Sequence, residues 1–80
     1  MAVDYPTGGV TYEIEVPGAP IEGNPGHFYY RCLVRRKGYQ GDYHTIRDTG
    51  GKRPMIWNSD TLALQFTKDW LNDNGQPLPQ

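Results

Sequence analysis

The chain has 80 residues, 36% of them apolar and 21% charged, with a net charge of −1. That is enough for one small domain. Ten aromatic residues argue against a disordered tail, and no apolar run reaches membrane-spanning length. No basic-then-apolar leader is visible, and a single cysteine cannot form an internal disulfide, which points to a reducing compartment. A large enzyme, a disulfide scaffold, a solenoid and a membrane protein are set aside.

Residues 1–9 hold turn residues without a period and are expected to be a flexible N-terminal arm. Over 10–16, Val10, Tyr12, Ile14 and Val16 alternate with Thr11, Glu13 and Glu15, the pattern of a half-buried strand. Residues 17–26, rich in Pro and Gly, predict a loop. Residues 27–37 predict one long strand, with Phe28, Tyr30, Cys32 and Val34 on one face and Tyr29, Arg31, Leu33 and Arg35 on the other. A turn over 38–42 leads to a return strand at 43–48, with Val34 opposite Ile46. Gly50-Gly51 suits a two-residue hairpin turn into a last strand at 53–57. That turn places Ile46 opposite Met55 and His44 opposite Trp57, and Pro54 makes the last strand an edge.

Residues 59–74 read as one helix, capped by Asn58, Ser59 or Asp60 and stopped at Gly75 and Pro77. Leu62, Ala63, Phe66 and Trp70 fall within one arc and predict its buried stripe. The tail at 76–80 is expected to fray. The architecture that follows is α+β: a small antiparallel β-sheet, a meander of three to four strands, with one C-terminal α-helix on one face. Residues 10–75 form a single β-β-β-β-α domain whose core rests on Trp57, Trp70, Phe66 and Phe28.

Catalytic chemistry is sparse. His27, His44 and Cys32 are one ligand short of a closed four-ligand zinc site. Cys32 and His44 share a predicted face, but it packs under the helix, where a thiol is ordinarily inert. Gly8-Gly9 precedes a strand instead of opening a helix, so it is no phosphate loop. The sequence therefore predicts no catalytic residue, metal or cofactor.

The net charge conceals a segregation. Residues 1–30 carry four acidic residues and no Lys or Arg, whereas 31–53 carry seven basic residues against two acidic ones. The predicted partner-binding set is Arg31, Arg35, Arg36, Lys37, Tyr39, Tyr43 and Arg47, with Arg36, Lys37 and Tyr39 at a hairpin tip. The competing reading is internal: Arg31, Arg35 and Arg47 share an outer face with Glu13 and Glu15, where cross-strand ion pairs are ordinary. Nucleic acid is the less favoured partner, because the pI is about 6.0 and such modules are usually strongly basic. A second candidate interface is the helix strip of Leu64, Lys68 and Leu71, suited to self-association.

The whole, including the run W-N-S-D-T-L-A-L-Q-F-T-K-D-W-L at 57–71, resembles small phage and prophage accessory proteins of the anti-CRISPR inhibitor type. The resemblance implies a non-enzymatic protein in the cytoplasm of a bacterial host. It implies binding, as monomer or homodimer, to a bacterial nucleic-acid-binding complex that is then blocked sterically. The alternatives are a nucleic-acid-binding module using the basic, Tyr-rich hairpin and an oligomer-forming phage component.

Overall fold

A computed structural model describes residues 2–47 and 56–74. The strands are β1 (Ala2–Thr7), β2 (Val10–Glu15), β3 (Gly18–Pro20), β4 (Phe28–Arg31), β5 (Leu33–Arg36), β6 (His44–Thr45) and β7 (Ile56–Trp57). They are followed by the helix α1 (Asp60–Asn74). Among the described residues the strands form a four-stranded sheet, β1-β2-β5-β6, and a three-stranded sheet, β3-β4-β7, every pairing antiparallel. The fold is thus α+β, with one helix packed against strands.

The two sheets share a spine. Tyr12 pairs with Arg36 and Glu15 with Leu33; Gly18 pairs with Tyr30 and Pro20 with Phe28. These pairs keep one register, so 12–20 and 28–36 form one long ladder. It is interrupted at Pro17, which has no N–H to donate, while its carbonyl still accepts from the Arg31 N–H at 3.2 Å. The strand expected over 27–37 is therefore real but divided at Cys32, and the loop expected over 17–26 contains β3. Two successive turns, closed by Asn24 N–H to Ile21 C=O and His27 N–H to Asn24 C=O, both 3.1 Å, make the tip of this hairpin.

The N-terminal arm is a correction. Residues Ala2–Thr7 form a strand paired along its whole length with β2, from Ala2 opposite Glu15 to Thr7 opposite Val10. The cause is Gly8-Gly9, with φ of 61° and 81°, a two-residue turn whose twist matches paired strands. In such a hairpin Thr7, Tyr5 and Val3 bond to β2, so the nitrogen of Pro6 faces the open edge and costs no ladder bond. By the same alternation Pro20 turns its nitrogen to the open side of β3, which is also an edge.

The last strands also differ from expectation. The turn after β5 begins at Arg36, whose carbonyl accepts from Tyr39 N–H at 3.0 Å. Val34 therefore lies opposite His44, two residues from the expected Ile46. β6 and β7 do not pair with each other: Trp57 lies opposite Tyr30 and Ile56 opposite Arg31. The two short strands sit end to end along one side of the spine, each taking part of it. The Gly50-Gly51 turn, Met55, the edge role of Pro54, the stop at Gly75 and Pro77 and the tail 76–80 lie outside the described residues.

The even-numbered face of the ladder is the core face. Tyr12, Ile14, Val16, Cys32, Val34 and Ile46 are buried there against Ala63, Thr67 and Leu71 of the helix. Ser59 caps the helix, its Oγ accepting from Leu62 N–H and its carbonyl from Ala63 N–H. The helix is turned by about a quarter turn from the expected stripe. Leu62 is 55% exposed, Phe66 and Trp70 are half-buried at the rim, and Leu71 is 2% exposed in the core. Small Ala63 and the self-satisfied Thr67, whose Oγ1 donates to the Ala63 carbonyl at 2.7 Å, let the helix approach closely. Phe28, expected in the core, is 44% exposed on the part of the ladder beyond it.

Candidate functional site

Alternation along the spine decides which predicted contact residues come together. The face opposite the helix carries Arg31 and Arg35 from the central strand, Lys37 at its end, and Tyr43 and Arg47 from the neighbouring segment. No described helix covers this outer face.

Arg35 is held three ways. Its Nε donates to Glu13 Oε1 at 3.3 Å, its Nη1 to the Gly41 carbonyl at 3.1 Å, and its guanidinium lies 4.2 Å from the centre of the Tyr43 ring. Glu13 is its direct cross-strand neighbour, so the pairing expected of the outer-face arginines is present here. Burial pushes the Tyr43 phenol above its ordinary value of 10.0, while the Arg35 charge pulls it down; Glu13 and Glu15 raise it further, Glu15 also by accepting its hydrogen bond.

Lys37 is exposed and pairs with Asp4 of β1. Sequence reasoning missed Asp4, having taken its segment for an arm; the Gly8-Gly9 turn is the signal that folds β1 back and places Asp4 opposite Glu13. The hydrogen bond to Asp4, then the Asp4 charge, holds the Lys37 ammonium above its ordinary value of 10.5. The stability this pair contributes is complete below pH 10.5 and is lost as pH climbs through the raised value. Denaturant titrations through that range should therefore decline more steeply for the native chain than for Lys37→Met. Equal slopes would show that the pair contributes nothing, and added salt should shrink the difference.

The remaining predicted residues separate. Arg36 lies opposite Tyr12 and so shares the core face; it is half-buried, and among the described residues its Nε has no hydrogen-bond partner. It does not join Arg35 and Lys37 on one surface, because adjacent residues of a strand point to opposite faces. Tyr39 is half-buried, its ring folded over Gly41 so closely that a Cβ there would overlap the hydroxyl. Arg31 and Arg47 are exposed, and among the described residues neither has an ion pair.

The second candidate interface loses Leu71, which is buried, and leaves Leu64 and Lys68 only half-exposed. Leu71 is core, Leu64 packs against it, and Lys68 lies 5.5 Å from the centre of the Tyr5 ring. The reason is β1: the helix end covers it, and Asn72 Oδ1 accepts from Tyr5 Oη at 3.2 Å and Thr7 Oγ1 at 2.7 Å. Cys32 and His44 are engaged separately. Cys32 is buried, its Sγ 3.6 Å from the Ala63 carbonyl, and His44 stacks on Trp70 with ring centres 5.5 Å apart. Among the described residues no group of three or more His, Cys, Asp or Glu is placed to hold a metal, and no helix is long and apolar enough to cross a membrane.

The sequence matches no family model, no curated protein and no solved structure.

Proposed function

We propose that this chain is a non-enzymatic protein-binding module that acts by steric occlusion, an inhibitor of a bacterial nucleic-acid-targeting complex of the kind its resemblance suggests. The contact is the outer face of the sheet. The observation that carries this reading is the Arg35 clamp: on a face that no described helix covers, an arginine and a tyrosine are fixed by Glu13, Gly41 and each other. Arg and Tyr are the side chains that most often dominate protein interfaces, and groups already ordered before contact lose less entropy on binding. Three carboxylates, those of Asp4, Glu13 and Glu15, stand on the same face and weigh against an extended polyphosphate.

The test is co-purification from bacterial lysate with and without nuclease, followed by reconstitution with the recovered protein. A stoichiometric partner that survives nuclease and is lost on Arg35→Gln with Tyr43→Ala, the variant's circular dichroism unchanged, supports the reading. Recovery of nucleic acid alone, or a partner indifferent to that variant, overturns it. Reversing Arg35 and Lys37 to Glu is a poorer test, because it sets like charges against Glu13 and Asp4 and would disturb the sheet itself.

A further inference from the structure

We infer that the tip of the β3–β4 hairpin, residues 21–28, is a rigid finger that enters an apolar cleft of the partner protein, with Phe28 as its anchor and Glu22 meeting a cation on the cleft wall. The inference rests on the protein-binding reading above. The finger continues the spine past the core. Val16 and Cys32 are the last buried residues of the ladder in this direction, and every residue from Glu22 to Phe28 is exposed. At about 3.3 Å per residue, the strand from Val16 to Ile21 carries the tip roughly 15 Å beyond them. The tip is built by its own turn chemistry. In the first turn, Ile21 to Asn24, Gly23 takes the third position with a φ of 81°. In the second, Asn24 to His27, Pro25 takes the second position and Gly26 the third, with a φ of 83°. Those are the residues that a type II turn favours at those places. A third bond, from the Ile21 N–H to the His27 carbonyl at 3.0 Å, closes the loop onto the ladder. At the root the Tyr30 ring lies across Gly18, where a Cβ would stand 2.6 Å from the ring's Cε1. The order of the tip therefore comes from local bonds and not from burial.

A hairpin needs only about two residues to join its strands. Here the chain uses the whole of 21–27, and it leaves Phe28 44% exposed opposite Pro20, one of two exposed large hydrophobic side chains among the described residues. From Val16 to Tyr30 the only residue charged at pH 7 is Glu22. An aromatic anchor in surroundings depleted of charge is the composition of the centre of a protein interface. A tip that is already ordered loses little entropy on insertion. A lone carboxylate carried into a closed apolar cleft is costly unless a cation meets it, which fixes the chemistry of the wall. Nucleic acid fits this finger poorly: residues 1–30 hold no Lys or Arg to bind phosphate, and Glu22 repels it.

The free chain supplies the first test. Steady-state 15N–1H NOE values over residues 21–28 should equal those over 12–16, and lower values overturn the rigid finger. The second test uses the partner protein recovered by nuclease-resistant co-purification, with 4-fluorophenylalanine at the two phenylalanines of the chain, Phe28 and Phe66. On complex formation the 19F signal of Phe28 should shift more than that of Phe66. Phe28→Ala and Glu22→Lys should each weaken binding roughly tenfold or more, with circular dichroism unchanged. Unchanged binding of either variant, no larger shift at Phe28, or a Phe28 signal moved by tetrathymidylate overturns the finger. The variants also separate the two ideas. If Arg35→Gln with Tyr43→Ala releases the partner and the finger variants do not, the outer face stands and the finger fails. If only the finger variants release it, the finger stands and the outer face is not the contact. If both sets release it, both stand, and if neither does, both fail.

Discussion

Replacing Ile14 by Ala should leave the domain largely unfolded at room temperature. Ile14 is fully buried in a central strand, between Val3 of β1 and Val34 of β5. Removing a buried isoleucine side chain beyond Cβ costs about 2–5 kcal/mol, through lost transfer energy and the cavity left behind. A single core in a chain of this size rarely supplies more than about 3–5 kcal/mol, so the loss is comparable with the whole. The check is far-ultraviolet circular dichroism with urea denaturation, with Leu62→Ala as the control. Leu62 belongs to the stripe expected from helical spacing but is exposed, so its truncation should change stability by less than about 0.5 kcal/mol. Similar losses for the two variants would mean that the helix presents a different face to the sheet.

Replacing Gly8 and Gly9 together by Val should detach β1 while the rest of the ladder persists or weakens only in proportion. Both positions have positive φ, which costs a residue with a Cβ about 1–2 kcal/mol each, hence about 2–4 kcal/mol for the pair. With the turn lost, the Tyr5 and Thr7 bonds to Asn72 and the Asp4–Lys37 pair lose their alignment. Amide exchange is the measurement: protection should vanish at Val3, Tyr5 and Thr7 before it falls at Val34. Gly8→Asn, a residue that tolerates this turn, should keep that protection. Retained protection in the valine variant would show that side-chain ties, not the turn, hold the strand.

These two sites also show where the sequence is readable. β2 declares itself by strict alternation, the helix by its cap and period, and the Glu13–Arg35 pair by the parity of the two strands. The α+β class follows from those elements. β1 is hidden because its alternation is weak and Pro6 resembles a breaker; only the strand's edge position makes that proline harmless. Gly-Gly occurs twice, and hairpin chemistry alone cannot say that the first pair folds an expected arm back onto β2. The orientation of the helix is hidden for a related reason. Size ranks Leu62, Phe66 and Trp70 above Ala63 and Thr67, but it is the small pair that lets the helix settle on Cys32 and its neighbours, and the extra strand then draws Leu64 and Leu71 inward. The candidate face was legible as a segregation of charge. That Lys37 is answered depended on Asp4, and so on the missed strand.

Pro6 and Pro20 have a further consequence. A free strand edge is a template on which further chains can stack into fibrils, and the side of the spine that carries β1 and β3 is a long one. On each of these strands a proline takes a position whose nitrogen faces outward, so the incoming chain would find an acceptor without its donor. That side of the molecule is thereby guarded against edge-to-edge aggregation. The outer sheet face, which no described helix covers, can then stay open without copies of the chain polymerising along that border.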